Sequence, residues 1–365
     1  MPNPYGRRLD ALRRRMHETA TDLVAIGPSS HMAYMAGFDP HGDERPVMLL
    51  VSRDHAGFLM PALNVDSARQ HTDLPFFPWR DDDGPNAALA TLLEASKLPA
   101  NPSVVLDETM RADFALLLLD ALPGATRRFT GDTVGHLRAR KDADEYARLK
   151  ASALVNDRAV LAGFDALREG VTELEIAAVI REAYKAEGAS AAFVSVCFGG
   201  NGAFPHHHTG ETKLKAGDAV LIDAGGKLDG YPSDMTRIGF FGKPGEEFET
   251  VRSVVEKAVL AALAAAKPGV KASAVDKAAR DVITQAGYGA FFTHRTGHGL
   301  GIDIHEPPYL TATSDTVLDE GMVFSIEPGI YLPGKFGVRL EEIVILRADG
   351  PEILSDLPRD ALARG

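Results

Sequence analysis

The sequence predicts an α/β (α+β) protein of two domains: a small N-terminal α/β domain, residues 1–133, and a larger domain, residues 134–365, made of two related α/β halves. Three observations carry this. At 365 residues the chain is too long for one comfortable core. Its first third alternates apolar runs with Pro, Gly and Asp breaks. Its second part carries an internal repeat, with GVTELEIAAVIREAYKAEG starting at Gly170 and GVKASAVDKAARDVITQAG starting at Gly269, an offset of 99 residues. Gly188 and Gly287 close the two segments at that same offset.

Taken in order, residues 7–19 read as a basic amphipathic helix, and DLVAIGPSSHMAYMAGF as a strand, a turn and a second apolar segment. PVMLLVS, HAGFLMP, SVVLDE and FALLLLDAL continue the alternation. The stretch HLRARKDADEYARLKASALVNDRAVLAGFDALREG has no Gly or Pro before Gly163, which predicts one long charged helix entering the second domain. Each repeat segment follows a long helix pattern and precedes strand-like runs, so the halves are expected to face each other across a cleft that houses the chemistry.

Each half ends in a hairpin with two acids. In AVLIDAGGKLDGYPSDMTRIGFF, a turn at Leu228-Asp229 sets Asp223 directly opposite Asp234, whereas a turn at Asp229-Gly230 leaves them diagonal on one face. In MVFSIEPGIYLPGKFGVRLEEIVIL, a turn centred on Gly334 opposes Glu327 to Glu341. Acids near turns are usually solvated, and that reading is kept for Asp229, Glu342 and most of the 51 acids. Asp223 and Glu327 differ because their apolar approaches, VLIDAG and VFSIEPG, would bury a carboxylate that then needs neutralising. Four buried carboxylates match the charge of two divalent cations, and oxygen donors with one imidazole suit Mn, Co, Fe or Zn.

HRTGHGLGIDIHEPP supplies the nitrogen, holding three of the twelve histidines within residues 294–305. Lone histidines in apolar segments are more often core residues, and His31, His71 and His136 are read so. Glycines on both sides of His298 would let the backbone approach a bound group, making His298 the expected fifth ligand.

The bulk properties bound the partners. A net charge of -12 disfavours nucleic acid and predicts repulsion from an anionic membrane, but welcomes divalent cations. Cys197 is the single cysteine, so no intrachain disulfide can form, which fits a reducing compartment. The start, MPNPYGRRLDALRRRMHETA, has charges where a secretory signal needs an apolar run, and a cytoplasmic protein is expected.

Asp223, Asp234 in SDMTR, HRTGHGLGIDIHE, IEPGIY and VRLEE together resemble the pita-bread metallopeptidases, the group of prolidase, aminopeptidase P, creatinase and methionine aminopeptidase. The match spans roughly residues 140–360, and the smaller N-terminal domain resembles the prolidase and aminopeptidase P branch. The resemblance implies a pita-bread catalytic domain, a homodimer, and two metal ions held by Asp223, Asp234, His298, Glu327 and Glu341. It implies substrate and transition-state contacts for His206 in AFPHHHTG and for His305, a pocket role for His294, and Arg339 beside the last ligand. His207 and His208 have no counterpart. Intact ligand positions argue against creatinase, and RLEE replaces the more usual Glu-Asp pair without touching a ligand.

The activity so implied is hydrolysis of the Xaa-Pro bond in dipeptides by a metal-activated water, with Glu327 as proton acceptor. Rival readings are an Xaa-Pro aminopeptidase acting on longer peptides, a small amide or amidine hydrolase on this scaffold, and a non-catalytic peptide-binding protein. Length selection is expected from AGFDPHGDERPVMLL, residues 36–50, where Arg45 with Asp39 or Asp43 would hold the two charged ends of a dipeptide. His41 and Glu44 share that loop.

Overall fold

Apolar, β-branched runs bounded by Gly, Pro and Asp build the first compact unit, Met1–Arg138. The computed structural model describes residues 4–40 and 42–364, the last two by backbone alone, so His41 lies outside the described residues. In chain order the unit holds α1 (Pro4–Glu18), β1 (Leu23–Ile26), α2 (Ser30–Ala36), β2 (Met48–Ser52), β3 (Ala56–Pro61) and α3 (Ala62–Ala68). There follow β4 (Phe76–Trp79), α4 (Asn86–Ser96), β5 (Ser103–Leu106), α5 (Ala112–Asp120), β6 (Thr126–Phe129) and α6 (Val134–Ala139). The strands form one mixed sheet in the order β4-β3-β2-β1-β5-β6, with β1 antiparallel to β2 and parallel to β5. β2 and β3 are buried along their whole length, which explains their continuous apolar runs. Leu50, Leu59, Val104, Phe114 and Leu118 lie in the core.

The second unit, Ala139–Gly365, begins with α7 (Ala143–Asp165), α8 (Glu173–Ala186), β7 (Ser190–Phe198), β8 (Ala219–Leu228), β9 (Tyr231–Pro232) and β10 (Met235–Phe241). Then come α9 (Glu246–Ala265), α10 (Ala272–Gln285), β11 (Gly297–Gly299), β12 (Glu306–Leu310), β13 (Val323–Ile326) and β14 (Gly329–Leu332). β15 (Phe336–Arg339), β16 (Glu342–Arg347), β17 (Gly350–Ile353) and β18 (Leu362–Arg364) complete it. The repeat is visible as two helix pairs, each packed on its own sheet. α7 and α8 share a core with the sheet β18-β10-β8-β7, and α9 and α10 with the sheet β12-β11-β13-β16-β17. Gly170 and Gly269 enter α8 and α10 at positive φ, 80° and 85°, and donate to Leu214 and Leu318 at 2.9 and 2.8 Å.

Two expectations change here. The single connecting helix is broken at residues 140–142, because Asp142 and Glu145 form a reciprocal capping box that starts α7 afresh. A D-x-x-E signal inside a charged run was the sign of that break. Of the three histidines read as core, His31 is buried, His136 half-buried and His71 exposed, stacked on Phe38. Among the described residues no helix is long and apolar enough to cross a membrane.

Candidate active site

Strand register brings the acids of each half together. β8 and β9 turn at Asp229-Gly230, with Leu228 opposite Tyr231, so Asp223 pairs with Thr236 and Asp234 lies diagonal to it. That is the second of the two registers the sequence allowed. In the other half Gly334 takes φ 75° at the turn, and the pairs Ile326–Glu342 and Gly329–Arg339 bracket Glu327 and Glu341. Those two acids therefore face each other, as the turn centre predicted.

His298 stands in the middle of β11. A Cβ on Gly297 would meet the Ser325 carbonyl at 1.9 Å, and one on Gly299 the Glu306 carbonyl at 2.4 Å. The glycines beside His298 thus allow the neighbouring strands to pack closely.

Donors from both sheets converge. Single atoms of Asp223, Asp234 and Glu341 lie within 4.8 Å of one another, as do atoms of His298, Glu327 and Glu341, and of Asp234, His298 and His305. The His298 Nδ1–H donates to the Gly299 carbonyl at 3.1 Å, leaving Nε2 turned to Glu327 at 3.3 Å and Asp234 at 3.6 Å. Burial, then the neighbouring His305, hold the His298 pKa down to about 3, so the ring is neutral and offers a lone pair. Burial pushes Asp234 and Glu341 well above the usual carboxylate range, reinforced by Asp223 on both. Burial raises Glu327 to about 7, against the pull of Arg339.

Asp223 Oδ1 and Glu341 Oε1 are buried with no hydrogen-bond partner among the described residues. An orphaned carboxylate oxygen deep in a protein is costly, and here two of them sit in one acidic cluster facing a neutral imidazole. Divalent cations fit that donor set.

A second layer fixes the acids. Arg339 donates to Asp223 at 2.6 Å, to the Thr236 hydroxyl at 2.8 Å and to the Tyr331 hydroxyl at 2.8 Å. Thr236 in turn donates to Glu341 Oε2 at 2.9 Å, and Ser325 to Glu327 at 3.1 Å. His294 meets the Tyr331 hydroxyl at 2.8 Å, and burial followed by Arg339 lowers its pKa to about 4. His305 is exposed, its ring edge-on to His298 with centroids 4.1 Å apart, and His206 is exposed on its loop.

Thr236, Tyr331 and Ser325 were not foreseen. Thr236 and Ser325 each stand two residues from a predicted acid, hence on the same strand face, a signal that was readable. Glu342 corrects an expectation: it is 2% exposed and paired at 3.0 Å with both Arg237 and Arg359, not solvated. Arg45 and Asp39 belong to the first unit. There Arg45 grips Asp81 through two bonds of 3.1 and 3.2 Å, and Asp39 is exposed beside Phe38 and His71.

Residues 147–348 match the model of metallopeptidase family M24, and residues 8–139 that of the creatinase/prolidase N-terminal domain. The chain belongs to metallopeptidase family M24. As a peptidase of this family it is 36% identical to the probable dipeptidase PepE of Mycobacterium bovis, over 98% of this chain and 96% of the relative. It is 34% identical to the Xaa-Pro dipeptidase of Lactobacillus helveticus, over 96% and 97% of the two chains. The solved structure of dipeptidase PepE from Mycobacterium ulcerans is 35% identical and superposes with a TM-score of 0.93, over 98% of this metallopeptidase and 97% of that chain.

Proposed function

We propose that this metallopeptidase hydrolyses the Xaa-Pro bond of dipeptides. The observation that carries the reading is the convergence of four carboxylates and one neutral imidazole around two unpartnered buried oxygens. Relatives named dipeptidase and Xaa-Pro dipeptidase, matched over nearly their whole length, support the substrate class. In this reading Asp223, Asp234, His298, Glu327 and Glu341 hold two divalent ions, of which Mn, Co or Zn suit the donors. When bound, such ions supply Lewis acidity at the scissile carbonyl and make a water nucleophilic at neutral pH.

The protein's side chains supply the remaining chemistry. Glu327, steadied by the Ser325 hydroxyl, takes the proton of the attacking water and returns it to the leaving prolyl nitrogen. His206 and His305 contact the carbonyl oxygen as charge develops there. His294 and Arg339, linked through Tyr331, line the pocket. Because proline has no N–H, recognition rests on shape and on the charged ends of the substrate.

Arg45 and Asp39 are assigned to those ends, with the substrate carboxylate exchanging for Asp81 on the Arg45 fork. The proposal extends to a cytoplasmic homodimer, and sedimentation at the monomer mass of 39.1 kDa would overturn the dimer. The deciding assay sets metal-reconstituted protein against Xaa-Pro dipeptides, Xaa-Pro-Yaa tripeptides and a dipeptide without proline. Preference for the first supports the reading. Steady tripeptide cleavage would make the enzyme an aminopeptidase, and equal turnover of the third would remove the proline requirement.

A further inference from the structure

His206 sits on a loop that no strand ladder holds. After β7 the chain makes a short 3-10 turn, Gly199–Ala203, and runs on irregularly through residue 210. Such a segment would sample many positions unless something braces it.

The Thr209 hydroxyl, accepting from Val196 N–H at 2.8 Å, and the Ser195 hydroxyl, donating to the His207 carbonyl at 3.3 Å, tie the loop's far end to β7, and the main brace is a carboxylate. Glu173, the first residue of α8, is fully buried, and it accepts four hydrogen bonds, one from the last residue of β7 and three from this loop. Phe198 N–H and Asn201 Nδ2 donate to Oε1, each at 2.8 Å. His207 Nε2 and Gly210 N–H donate to Oε2, each at 2.9 Å. The donors run from one end of the loop to the other, and His207 is next to His206. Bonds to a charged acceptor are the strong kind, and a buried carboxylate is tolerated only when so well satisfied.

The related half uses the same device. Asp276 on α10, also fully buried, accepts from Thr296 N–H at 3.1 Å and from its hydroxyl at 2.8 Å. Arg280, bonded to Asp276, donates to the His294 carbonyl at 2.9 Å. In the offset of the repeat, Asp276 lies one helical turn beyond the counterpart of Glu173, hence on the same helix face. Each half therefore pins a histidine-bearing segment from a buried acid on its second helix.

We infer that Glu173 is a positioning residue for catalysis, setting where His206 stands toward the substrate carbonyl. The inference rests on the reading of His206 as a substrate contact. Glu173→Gln puts an NH2 where two N–H donors point, so the loop must move while the metal ligands are untouched. The test is a double-mutant cycle on the metal-loaded enzyme, with bound metal measured in every variant. Glu173→Gln is expected to lower kcat/KM by about 10- to 100-fold with metal content unchanged. In the His206→Ala background the same substitution is expected to cost nothing further.

His207→Ala removes one donor of the four from a half-buried side chain and serves where Glu173→Gln fails to fold. It should lose several-fold, again only when His206 is present, and His207→Gln, which restores a donor, should recover most of it. A full loss from Glu173→Gln or His207→Ala on top of His206→Ala would overturn the inference and leave the function standing. An unchanged kcat/KM in His206→Ala alone would instead remove the role of His206, and this inference with it.

Discussion

At the scale of single residues the central question is whether His305 is a ligand or a substrate contact. Its donor atom falls in one cluster with Asp234 and His298, yet the residue is exposed, whereas Asp234 is 8% and His298 3% exposed. A ligand that must stay deprotonated and rigid belongs in the buried layer, and an exposed imidazole is free to meet an incoming peptide. His305→Ala should therefore keep both ions in elemental analysis while kcat falls about 10²-fold. Asp234→Ala should lose metal and activity together. Two ions retained in Asp234→Ala would break the ligand set, and metal lost from His305→Ala would move His305 into it. Arg45 poses a separate test. If its guanidinium holds the substrate carboxylate, Arg45→Ala should lower kcat/KM for a dipeptide at least about tenfold relative to a tripeptide, since losing the charged partner penalises only the short substrate. An unchanged ratio would leave Arg45 as the surface partner of Asp81.

At the scale of elements, the hairpins were legible because strand pairing leaves only two choices of face. The turn at Gly334 fixed the facing of Glu327 and Glu341 outright, and Asp229-Gly230 narrowed Asp223 and Asp234 to two registers. What stayed hidden was set by distant sequence. Glu342 is neutralised by Arg237 and Arg359, and Thr236, whose strand face was readable, bridges Arg339 to a Glu341 whose approach was not. Arg237 stands 105 residues from Glu342 and Arg359 17, and no local pattern announces either partner. The glycines around His298 were seen, but their role in strand packing was not, since crowding between neighbouring strands leaves no trace in one strand's sequence. Gly297→Ala forces a Cβ to within 1.9 Å of the Ser325 carbonyl, which is backbone and cannot swing aside. Strand β11 should shift and carry His298 with it, lowering Tm and metal affinity together. A variant with normal Tm and metal content would show that β11 tolerates the side chain and that glycine is there for another purpose.

At the scale of the whole molecule, metal and fold are coupled through the carboxylate cluster. Without cations, Asp234, Glu327 and Glu341 are all raised above their ordinary range, Glu327 from 4.5 to about 7. A carboxyl with a higher pKa folded than unfolded binds more protons in the folded state, so stability falls as pH rises across that window. For Glu327 this contribution is whole below about 4.5 and is lost as pH climbs through about 7. The chelated protein should therefore melt lower at pH 8 than at pH 5.5, by roughly 5–10 °C if two to three kcal/mol are involved. Bound cations reverse the slope, because ligands must be deprotonated to bind and binding to the folded state alone adds stability by mass action. The loaded protein should gain Tm over the same interval, and the gap between the two forms should widen with pH. Differential scanning calorimetry on chelated and reconstituted samples at matched ionic strength checks this, following the transition of the second unit. A chelated protein whose Tm is flat or rising from pH 5.5 to 8 would mean that these carboxylates are not crowded in the absence of metal. Charge neutralisation would then no longer draw cations to these carboxylates.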